Sequence, residues 1–551
     1  MRWAVTRTGA SSTWRQRRWW LSGRCHPGSR VGFRTWFIPS IPFICYWLFQ
    51  MMVIDQLLPG LFRFEDTCNV YVFECGDCSV AVDYGSGAWR SALRGLGLPP
   101  LRHVYLTHHH VDQCDGLRRG GRRSFTVHAP PGERNVIHPD GVRAVRRWIG
   151  KLGVPGSYSL LERGLAGVRF DMIGFDDHFV GTRRVRFVET PGHGRGATSL
   201  VIDHHGKQVV FCGDAAHAGA TVHEPYMLEW DHWTGDGAVA AWRGVERIEA
   251  LGIDLLCPSH GPVIAERPGT MLRRLSRKLL EFIDVKGNIC PGEPDRYVEP
   301  QFTSSGARRL GDHLYQFGIN GYLLVSGSGS GSGAALVIDP YLSDMPRLDA
   351  LLAELDGVRV TDVTATHYHI DHIDAAPVLQ RRKGVTLHLH PRVAEPVARL
   401  GTHDVPWLPP RAIRPDAMLP SRGTWKWNEH RLRVAPFAGQ TWWHCCLMTD
   451  VDGRRVLFGG DNFQPNSRWN GTGGFCAMNG CRFREGFIRS ARLVLDWKPD
   501  LLACGHGTYY RFAPSHFRKI IRWAERAERA TKALCPTGSL ERDYYLHPRS
   551  A

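Results

Sequence analysis

Short apolar runs bounded by turn residues recur along the chain from residue 53 onwards, with longer amphipathic stretches between them. Runs rich in Val, Ile, Phe and Tyr predict strands, and apolar residues at helical spacing predict helices. The predicted strands of the first half are Gly60–Phe64, Asn69–Glu74, Ser79–Asp83, His103–Leu106, Phe125–His128, Val185–Glu189, Ser199–Asp203, Gln208–Cys212 and Asp254–Pro258. The predicted helices of this half are Ala88–Leu96, Pro139–Lys151, Ala238–Ala250 and Pro268–Val285.

The second half repeats this order of elements. Its predicted strands are His313–Phe317, Gly321–Ser326, Ala335–Asp339, Val360–Thr366, Arg431–Ala435, Cys446–Asp450, Arg455–Phe458 and Leu501–Cys504, and its predicted helices are Glu485–Trp497 and Ser515–Leu534. The run G-S-G-S-G-S-G at Gly327–Gly333 lies between two predicted strands, which favours a flexible hairpin loop over an interdomain linker. Strands mixed with helices in each half predict a layered α/β or α+β domain.

The spacing of polar residues supports a duplication of one fold. The intervals are 25 residues from Asp83 to His108, 28 from Asp339 to His367, 46 from Asp214 to His260 and 45 from Asp461 to His506. A chain of 551 residues also favours several domains over one. We expect an N-terminal extension at 1–52, a first domain at 53–290, a linker at 291–300, a second domain at 301–535 and a tail at 536–551.

A cluster of histidines and aspartates follows the fourth predicted strand of each half. Thr107–Gly116 reads T-H-H-H-V-D-Q-C-D-G, and Thr366–Asp374 reads T-H-Y-H-I-D-H-I-D. Imidazole nitrogens and carboxylate oxygens at alternating positions after a buried strand are ligands for zinc or iron. A surface cluster of polar residues would explain one such stretch, but its recurrence favours a metal site in each half.

Further polar groups follow later strands in the same order in both halves. In the first half these are T-P-G-H-G with His193, F-C-G-D-A with Asp214 and P-S-H-G-P with His260; in the second they are F-A-G-Q-T with Gln440, F-G-G-D-N with Asp461 and C-G-H-G-T with His506. Each lies just beyond a predicted strand, where strand ends can converge on one site. A glycine beside each ligand lets the backbone turn tightly there.

This order of motifs resembles the metallo-β-lactamase fold superfamily over residues 53–285 and 301–512, and most closely its glyoxalase II-like and lactonase-like hydrolases. The resemblance implies a four-layer αββα sandwich, duplicated in tandem, with a binuclear metal centre at one edge of the sheets. We expect zinc, up to two ions per intact site, with iron or manganese as alternatives.

Metal ligands follow from the resemblance residue by residue. In the first half it implies His108, His110 and His193 on one metal, Asp112 and His260 on the other, and Asp214 between them. In the second half it implies His367 and His369 on one metal, Asp371, His372 and His506 on the other, and Asp461 between them. The departures are Gln113 and Gln440, each where the family has a histidine. His444 replaces the missing ligand if T-W-W-H opens a helical turn, and is otherwise a packed histidine beside two tryptophans.

The expected reaction is attack of a metal-bound hydroxide on an ester, thioester, lactone or amide carbonyl, with Asp112 and Asp371 orienting the hydroxide. An iron-dependent oxidoreductase resembling persulfide dioxygenases is an alternative, using His108, His193 and Asp214. A metal-dependent nuclease is another, although motifs typical of RNA-processing members are not evident. A further hypothesis is that one half is a degenerate scaffold.

The formal net charge of +16 weighs little towards a nucleic-acid partner, because residues 1–52 carry eight arginines and no acidic residue. We expect a small-molecule substrate and no nucleic acid. Thr35–Ile54 is uncharged and long enough to span a membrane, so it is either a signal anchor or sequence upstream of a start codon near Met51 and Met52. The protein is therefore expected in the cytoplasm, or membrane-anchored if the segment is a real anchor.

The 15 cysteines are scattered and odd in number, which favours reduced thiols in a cytosolic protein over a disulfide framework. Cys114, Cys212 and Cys504 are interpreted as small packed residues beside the motifs. The loops Ala215–Trp233 and Asn462–Arg482 are predicted either to roof a substrate pocket or to form ordinary surface connections.

Overall fold

The computed structural model describes residues 53–119, 124–144, 164–165, 168–174, 178–231, 234–287, 298–327, 333–403, 405–464 and 474–546. Several predictions therefore lie wholly or partly outside the described residues: the N-terminal extension, most of the linker, the end of the helix Pro139–Lys151 and the tip of the Gly327–Gly333 loop. None of the helices in the described part of the chain combines the length and apolar character needed to cross a bilayer.

Each half contains two β-sheets. Among the described residues, the first sheet has seven strands in sequential order: β1 Ile54–Leu58, β2 Leu61–Glu65, β3 Asn69–Cys75, β4 Cys78–Val82, β5 Leu101–Tyr105, β6 Thr126–Ala129 and β7 Phe170–Met172. The second sheet has five, in the order β12-β11-β10-β9-β8: β8 His178–Val180, β9 Arg183–Glu189, β10 Thr198–His204, β11 Lys207–Gly213 and β12 Leu255–Pro258.

The second half repeats both sheets. Within the described ranges its first sheet has eight strands: β13 Gln301–Phe302, β14 Arg308–Arg309, β15 Leu314–Phe317, β16 Gly321–Val325, β17 Ala334–Ile338, β18 Arg359–Thr364, β19 Thr386–Leu389 and β20 Ala417–Met418. Its other sheet has six: β21 Gly423–Trp427, β22 His430–Pro436, β23 Cys445–Val451, β24 Arg454–Gly460, β25 Leu501–Cys504 and β26 Tyr509–Arg511. The antiparallel pairing of β16 with β17 confirms that the Gly-Ser run connects a hairpin.

The α-helices of the described chain lie on the outer faces of these sheets or in the loops that leave them. They are α1 Val111–Cys114, α2 Arg134–Ile137, α3 Asp236–Glu249, α4 Pro268–Gly287, α5 Met345–Glu354, α6 Ile370–Ile373, α7 Ala376–Gln380, α8 Pro391–Ala398, α9 Arg489–Trp497, α10 Pro514–Leu534 and α11 Leu540–Asp543. A further helix begins at residue 139, as predicted, and its described part ends at 144.

Alternation along the strands creates the layers. In β10, Leu200 and Ile202 face the core between the two sheets of the first half, whereas Val201 faces the helices outside. In β24, Val456 and Phe458 face the corresponding core of the second half, whereas Leu457 faces outward. Since both faces of these strands are buried, each half is an αββα sandwich, which confirms the predicted fold class.

One apolar core joins the two halves. It contains buried residues of α3 and α4 from the first half together with buried residues of α9 and α10 from the second. The Trp523 indole N–H of α10 donates to the Val285 carbonyl of α4 at 2.9 Å. Arg526 of α10 forms ion pairs with Glu281 and Asp284 of α4. The long helix that closes each half therefore packs against its counterpart.

The predicted helix Glu485–Trp497 begins differently from the prediction. Phe483–Ile488 is a π-helical turn, in which the Phe487 N–H donates to the Arg482 carbonyl at 3.1 Å, and α9 follows it. Gly486 lies close to the Gly439 backbone, because a Cβ at Gly486 would be 3.3 Å from the Gly439 nitrogen. The wider turn accommodates this approach. The predicted helix Ala88–Leu96 is a 3-10 turn, Ala88–Ala92, followed by turns.

The shared core leads to a prediction about stability. Leu279 and Leu280 are adjacent in α4, but Leu279 is fully buried in the shared core and Leu280 is 43% exposed. We expect Leu279→Ala to lower the free energy of unfolding by about 2–5 kcal/mol because it leaves a cavity. Leu280→Ala, the matched control, should change it by less than about 0.5 kcal/mol. Denaturant unfolding of the full chain measures both, and equal effects would contradict the assigned core.

Candidate metal centres

A strand-end aspartate anchors the first metal-binding loop. Asp83 follows β4, and its φ of 60° is in the left-handed region. Its carboxylate accepts the Thr107 backbone N–H at 2.8 Å and the Thr107 hydroxyl at 2.9 Å, and also the Ser259 hydroxyl at 2.9 Å. Thr107 precedes the histidine cluster and Ser259 precedes His260, so one carboxylate holds two loops of the site. Burial raises the pKa of Asp83 to about 7, although these hydrogen bonds oppose the shift.

The same anchor recurs in the second half. Asp339 follows β17 with a φ of 56°. It accepts the Thr366 backbone N–H at 2.6 Å and the Thr366 hydroxyl at 2.7 Å. Its Oδ2 also lies 3.1 Å from Nδ1 of His372. Among the described residues of the first half, Asp83 has no such contact, because Gln113 occupies the position of His372.

Threonine hydroxyls then set which nitrogen of the first histidine faces the site. The Thr107 hydroxyl donates to Asp83, so it accepts from Nδ1–H of His108 at 2.9 Å. Nε2 of His108 therefore keeps its lone pair, and it is buried without a hydrogen-bond partner among the described residues. Thr366 does the same for His367, whose Nδ1 lies 3.2 Å away and whose buried Nε2 is likewise unpaired in the described chain.

Three buried histidines converge in the first half. Ligand nitrogens of His108, His110 and His193 lie within 4.8 Å of one another. Nε2 of His193 is 3.1 Å from Nδ1 of His110, and Asp214 Oδ2 is 3.5 Å from His108 Nε2 and 3.6 Å from His193 Nε2. Burial lowers the pKa of all three histidines, which favours neutral imidazoles with a free lone pair. This donor set fits one divalent metal ion.

In the first half, the residues implied for the second metal contact one another. His260 lies between the two carboxylates, with Nε2 2.9 Å from Asp112 Oδ2 and Nδ1 2.8 Å from Asp214 Oδ1. The Gln113 amide donates to Asp112 at 3.0 Å and to Asp214 at 3.4 Å. Burial would lower the pKa of His260, but the charges and hydrogen bonds of Asp214 and Asp112 raise it well above its usual value. Gln113 Oε1 nevertheless has no hydrogen-bond partner among the described residues. The described part of this half contains one convergent group of ligand residues, which favours one ion there.

The second half brings together two ligand groups. One is His367, His369 and Asp461; the other is Asp371, His372 and His506; within each group the ligand atoms lie within 4.8 Å of one another. Asp461 lies between them, with Oδ1 3.1 Å from His372 Nε2 and Oδ2 3.3 Å from His506 Nε2 and 3.7 Å from His367 Nε2. Two adjacent groups that meet at one carboxylate fit two metal ions.

The helical turn on which His444 as a replacement ligand depended is not formed. Residues 442–443 form a bend, and His444 pairs with His367 in an isolated antiparallel bridge. The two imidazoles stack with centroids 4.7 Å apart, and Nδ1–H of His444 donates to the Cys445 carbonyl at 2.9 Å. Gln440 instead lies beside the carboxylate, donating from Nε2 to Asp461 at 3.3 Å. Among the described residues, His444 is adjacent to the convergent groups rather than within one.

Exposure shows which side of each centre faces solvent. The side chains of Asp112 and His260 are 37% and 19% exposed, and those of Asp371 and His506 are 29% and 24% exposed. The histidines implied for the first metal are buried in both halves. Asp112 and His260 therefore lie on the solvent-facing side of the first centre, and Asp371 and His506 on that of the second.

The two predicted roof loops have different environments. In the first half, His223 stacks on His260 with centroids 3.7 Å apart, and the Trp230 indole donates to the Gly192 carbonyl at 2.9 Å beside His193. In the second half, Phe475 is fully buried in the shared core, so it does not line a pocket. Residues 465–473 of that loop lie outside the described residues.

Sequence reasoning missed several amide and carboxylate side chains that hold the site. Asn320 donates from Nδ2 to Asp371 Oδ2 at 2.9 Å and accepts the His506 N–H at 2.6 Å. Its counterpart Asn69 donates to the carbonyls of Pro258 and Gly261, which flank His260. Glu133, Gln464 and Asn479 also contact site residues. Comparison of the two halves would have found Asn69 and Asn320, since Asn69 begins β3 and Asn320 directly precedes the equivalent strand β16.

The described cysteines are buried and unpaired. Cys114, Cys212 and Cys504 lie beside the centres with almost no exposure, and burial raises the pKa of each thiol. Their interpretation as small packed residues agrees with this environment.

Solved structures with a similar fold were found by comparison. A metallo-beta-lactamase of Cronobacter sakazakii, a mutant of its HARLDQ motif, is 16% identical, covers 41% of this chain and 95% of its own, and has a TM-score of 0.31. An archaeal metallo-beta-lactamase superfamily protein of Sulfolobus tokodaii is 21% identical, covers 40% of this chain and 86% of its own, with a TM-score of 0.30. The subclass B3 metallo-beta-lactamase BJP-1 of Bradyrhizobium japonicum is 17% identical, covers 42% and 92%, with a TM-score of 0.32.

No curated protein matches the sequence significantly. The sequence profile of the Metallo-beta-lactamase superfamily, however, matches residues 63–260 and again residues 314–507. The two matches together span well over half of the chain, and each contains the histidines and aspartates that converge in its half. The chain therefore belongs to the metallo-beta-lactamase superfamily and contains two tandem copies of its domain.

Proposed function

We propose that the protein is a metal-dependent hydrolase of small carbonyl substrates, either esters, thioesters, lactones or amides, and that its second half contains the working centre. The observation that carries this proposal is that two adjacent ligand groups of the described chain meet at the carboxylate of Asp461. The first half offers one such group within its described residues.

We further propose zinc as the metal. Neutral imidazole and carboxylate are its usual nitrogen and oxygen donors, and a bound metal ion would satisfy the Nε2 atoms of His108 and His367, which are buried without a hydrogen-bond partner among the described residues. A divalent ion bound at these positions lowers the pKa of water and polarises a carbonyl oxygen. The residues themselves do the positioning.

In this proposal Asp371 directs the attacking water and accepts its proton. It is 29% exposed at the open side of the centre, and Asn320 fixes one carboxylate oxygen through a 2.9 Å hydrogen bond. His506 is held beside it, because its backbone N–H donates to the same Asn320. The substrate carbonyl would lie between this open side and the buried histidines.

A cytoplasmic location remains our proposal. It is supported by the buried, unpaired thiols of the twelve described cysteines, which suit a reducing compartment.

A second candidate concerns the first half. His108, His193 and Asp214 could supply the two imidazoles and one carboxylate that form the ligand set of non-haem iron oxygenases. The described residues of this half contain one convergent ligand group, and a single iron ion held there would support oxidation of a small substrate as the alternative.

Metal content tests the assignment of the centres. The three ligand groups of the described chain predict three divalent ions per chain. Gln113→His should raise this to about four, because an imidazole replaces an amide donor between Asp112 and Asp214. Gln440→His, the matched change in the second half, should tighten binding without adding an ion. Elemental analysis after dialysis measures this, and an unchanged count for Gln113→His would contradict a missing ligand there.

Activity tests the hydrolase proposal. We expect Asp371→Asn to lower kcat/KM by about 10²–10⁴-fold on whichever ester, thioester, lactone or amide the protein hydrolyses, because a general base is lost. Asp312→Asn, at a 75% exposed position in the same half, is the neutral control. A loss on Asp112→Asn with full activity of Asp371→Asn would place the reaction in the first half and overturn our assignment.

Iron and oxygen test the second candidate. If the first half is an iron centre, protein produced with iron should retain one iron per chain and consume oxygen with a thiol or persulfide substrate. His193→Ala should abolish both, because it removes one of the two imidazoles. Zinc alone at this group, with no oxygen uptake, would exclude the candidate.

A further inference from the structure

A fully buried ion pair lies at the junction of the two halves. Lys286, at the end of α4, contacts Glu229 Oε1 at 3.1 Å, and neither side chain has any exposure. Lys286 also donates to the Phe475 carbonyl of the second half at 2.8 Å. The Tyr544 hydroxyl donates to Glu229 Oε1 at 2.7 Å. Buried charges are costly to desolvate, so an ion pair of this kind needs further hydrogen bonds from its neighbours. Here these hydrogen bonds come from both halves and fix the geometry of the pair.

The second carboxylate oxygen of Glu229 holds a turn of the other half. Glu229 Oε2 accepts the Ala477 backbone N–H at 2.8 Å. Ala477 begins the 3-10 turn Ala477–Asn479, which lies in sequence between Asp461 and His506. The N–H at the start of such a turn has no partner within the turn itself. A side chain of the first half therefore fixes where this turn of the second half begins.

The other end of this turn contacts a predicted metal ligand. Asn479 Oδ1 accepts from Nε2–H of His369 at 2.9 Å and from the Tyr368 hydroxyl at 2.7 Å. With Nε2 donating, His369 presents the Nδ1 lone pair as its ligand atom. Partners of this kind fix the tautomer and the orientation of metal-binding histidines.

The described part of the first half lacks this arrangement. His110, the counterpart of His369, has a buried Nε2 that no described residue contacts by a hydrogen bond. Glu133 instead pairs with the neighbouring His109. The connection through Glu229 is therefore specific to the centre of the second half.

We propose that Glu229 of the first half is a positioning residue for the metal centre of the second half, acting through the turn Ala477–Asn479 on His369. This proposal rests on the proposed metal centre of the second half. It makes the first half a necessary part of that centre, whatever the first half binds itself. The hydrogen-bond acceptor at position 229 matters for this role, whereas its charge serves to balance Lys286.

Two charge-balanced double variants separate the acceptor from the charge. Glu229→Gln with Lys286→Met removes both charges and keeps an oxygen for the Ala477 N–H. Glu229→Leu with Lys286→Met has the same charge but no acceptor. Both are made in the full chain with His193→Ala, which weakens the first-half site so that the tightest ions report on the second half. The probe is Co²⁺ titration, because the absorption spectrum of the bound ion reports its coordination.

We expect the Leu variant to weaken one second-half site by about 10–100-fold and to alter its Co²⁺ spectrum. The Gln variant should stay within about threefold of its parent. Thermal unfolding of the metal-free proteins verifies that both are folded. A folded Leu variant that binds Co²⁺ like its parent would overturn the proposal.

Asn479→Leu and Asn479→Asp test the same connection at its other end, and they remain informative if the double variants do not fold. We expect Asn479→Leu to lose Co²⁺ affinity. Asn479→Asp should retain it, because the carboxylate keeps an acceptor for His369. Equal affinity of both would overturn the proposal. These titrations need no substrate. Absence of hydrolysis would therefore refute the proposed reaction, whereas the role of Glu229 is tested by metal affinity alone.

Discussion

Both centres depend on a short chain of hydrogen bonds that begins at a strand-end aspartate. Asp83 and Asp339 adopt left-handed backbone conformations, and each carboxylate takes up the backbone N–H and the hydroxyl of a threonine on the neighbouring parallel strand end. That threonine in turn sets the tautomer of the first histidine. Without this chain, the imidazole could present either nitrogen, and the loop that follows would have no fixed start. The hydrogen bonds that orient the metal ligands therefore begin at the β-sheet and extend outward to the histidines.

Sequence patterns were sufficient for the elements that carry this chain. The buried strands before Thr107 and Thr366, the order of motifs and the duplication all follow from periodicity and spacing, because apolar alternation and strand-end polar residues are local properties. The departures at Gln113 and Gln440 were also visible as departures. Their structural effect was not visible, because an amide can present its oxygen to a metal or its N–H to a carboxylate. The surrounding carboxylates determine which of the two groups the amide presents.

Other features depend on contacts between residues far apart in sequence. His444 follows a bend rather than a helical turn because its backbone pairs with His367. Asn479 has no local signal, as its role arises from a turn that Glu229 holds from the other half. Phe475 resembles a pocket residue in a polar loop, yet it packs in the core between the halves. In each case tertiary packing determines the outcome and composition does not.

The packing of α4 against α10 has a consequence for how the two centres diverge. Each half contributes its own closing helix to the contact, as the two subunits of a two-fold symmetric homodimer do. In a homodimer, a substitution at a ligand position appears in both subunits at once. In one continuous chain it appears once, so each centre can lose or gain a ligand while its neighbour keeps the original set. Gln113 and Gln440, at different ligand positions of the two halves, show this independence.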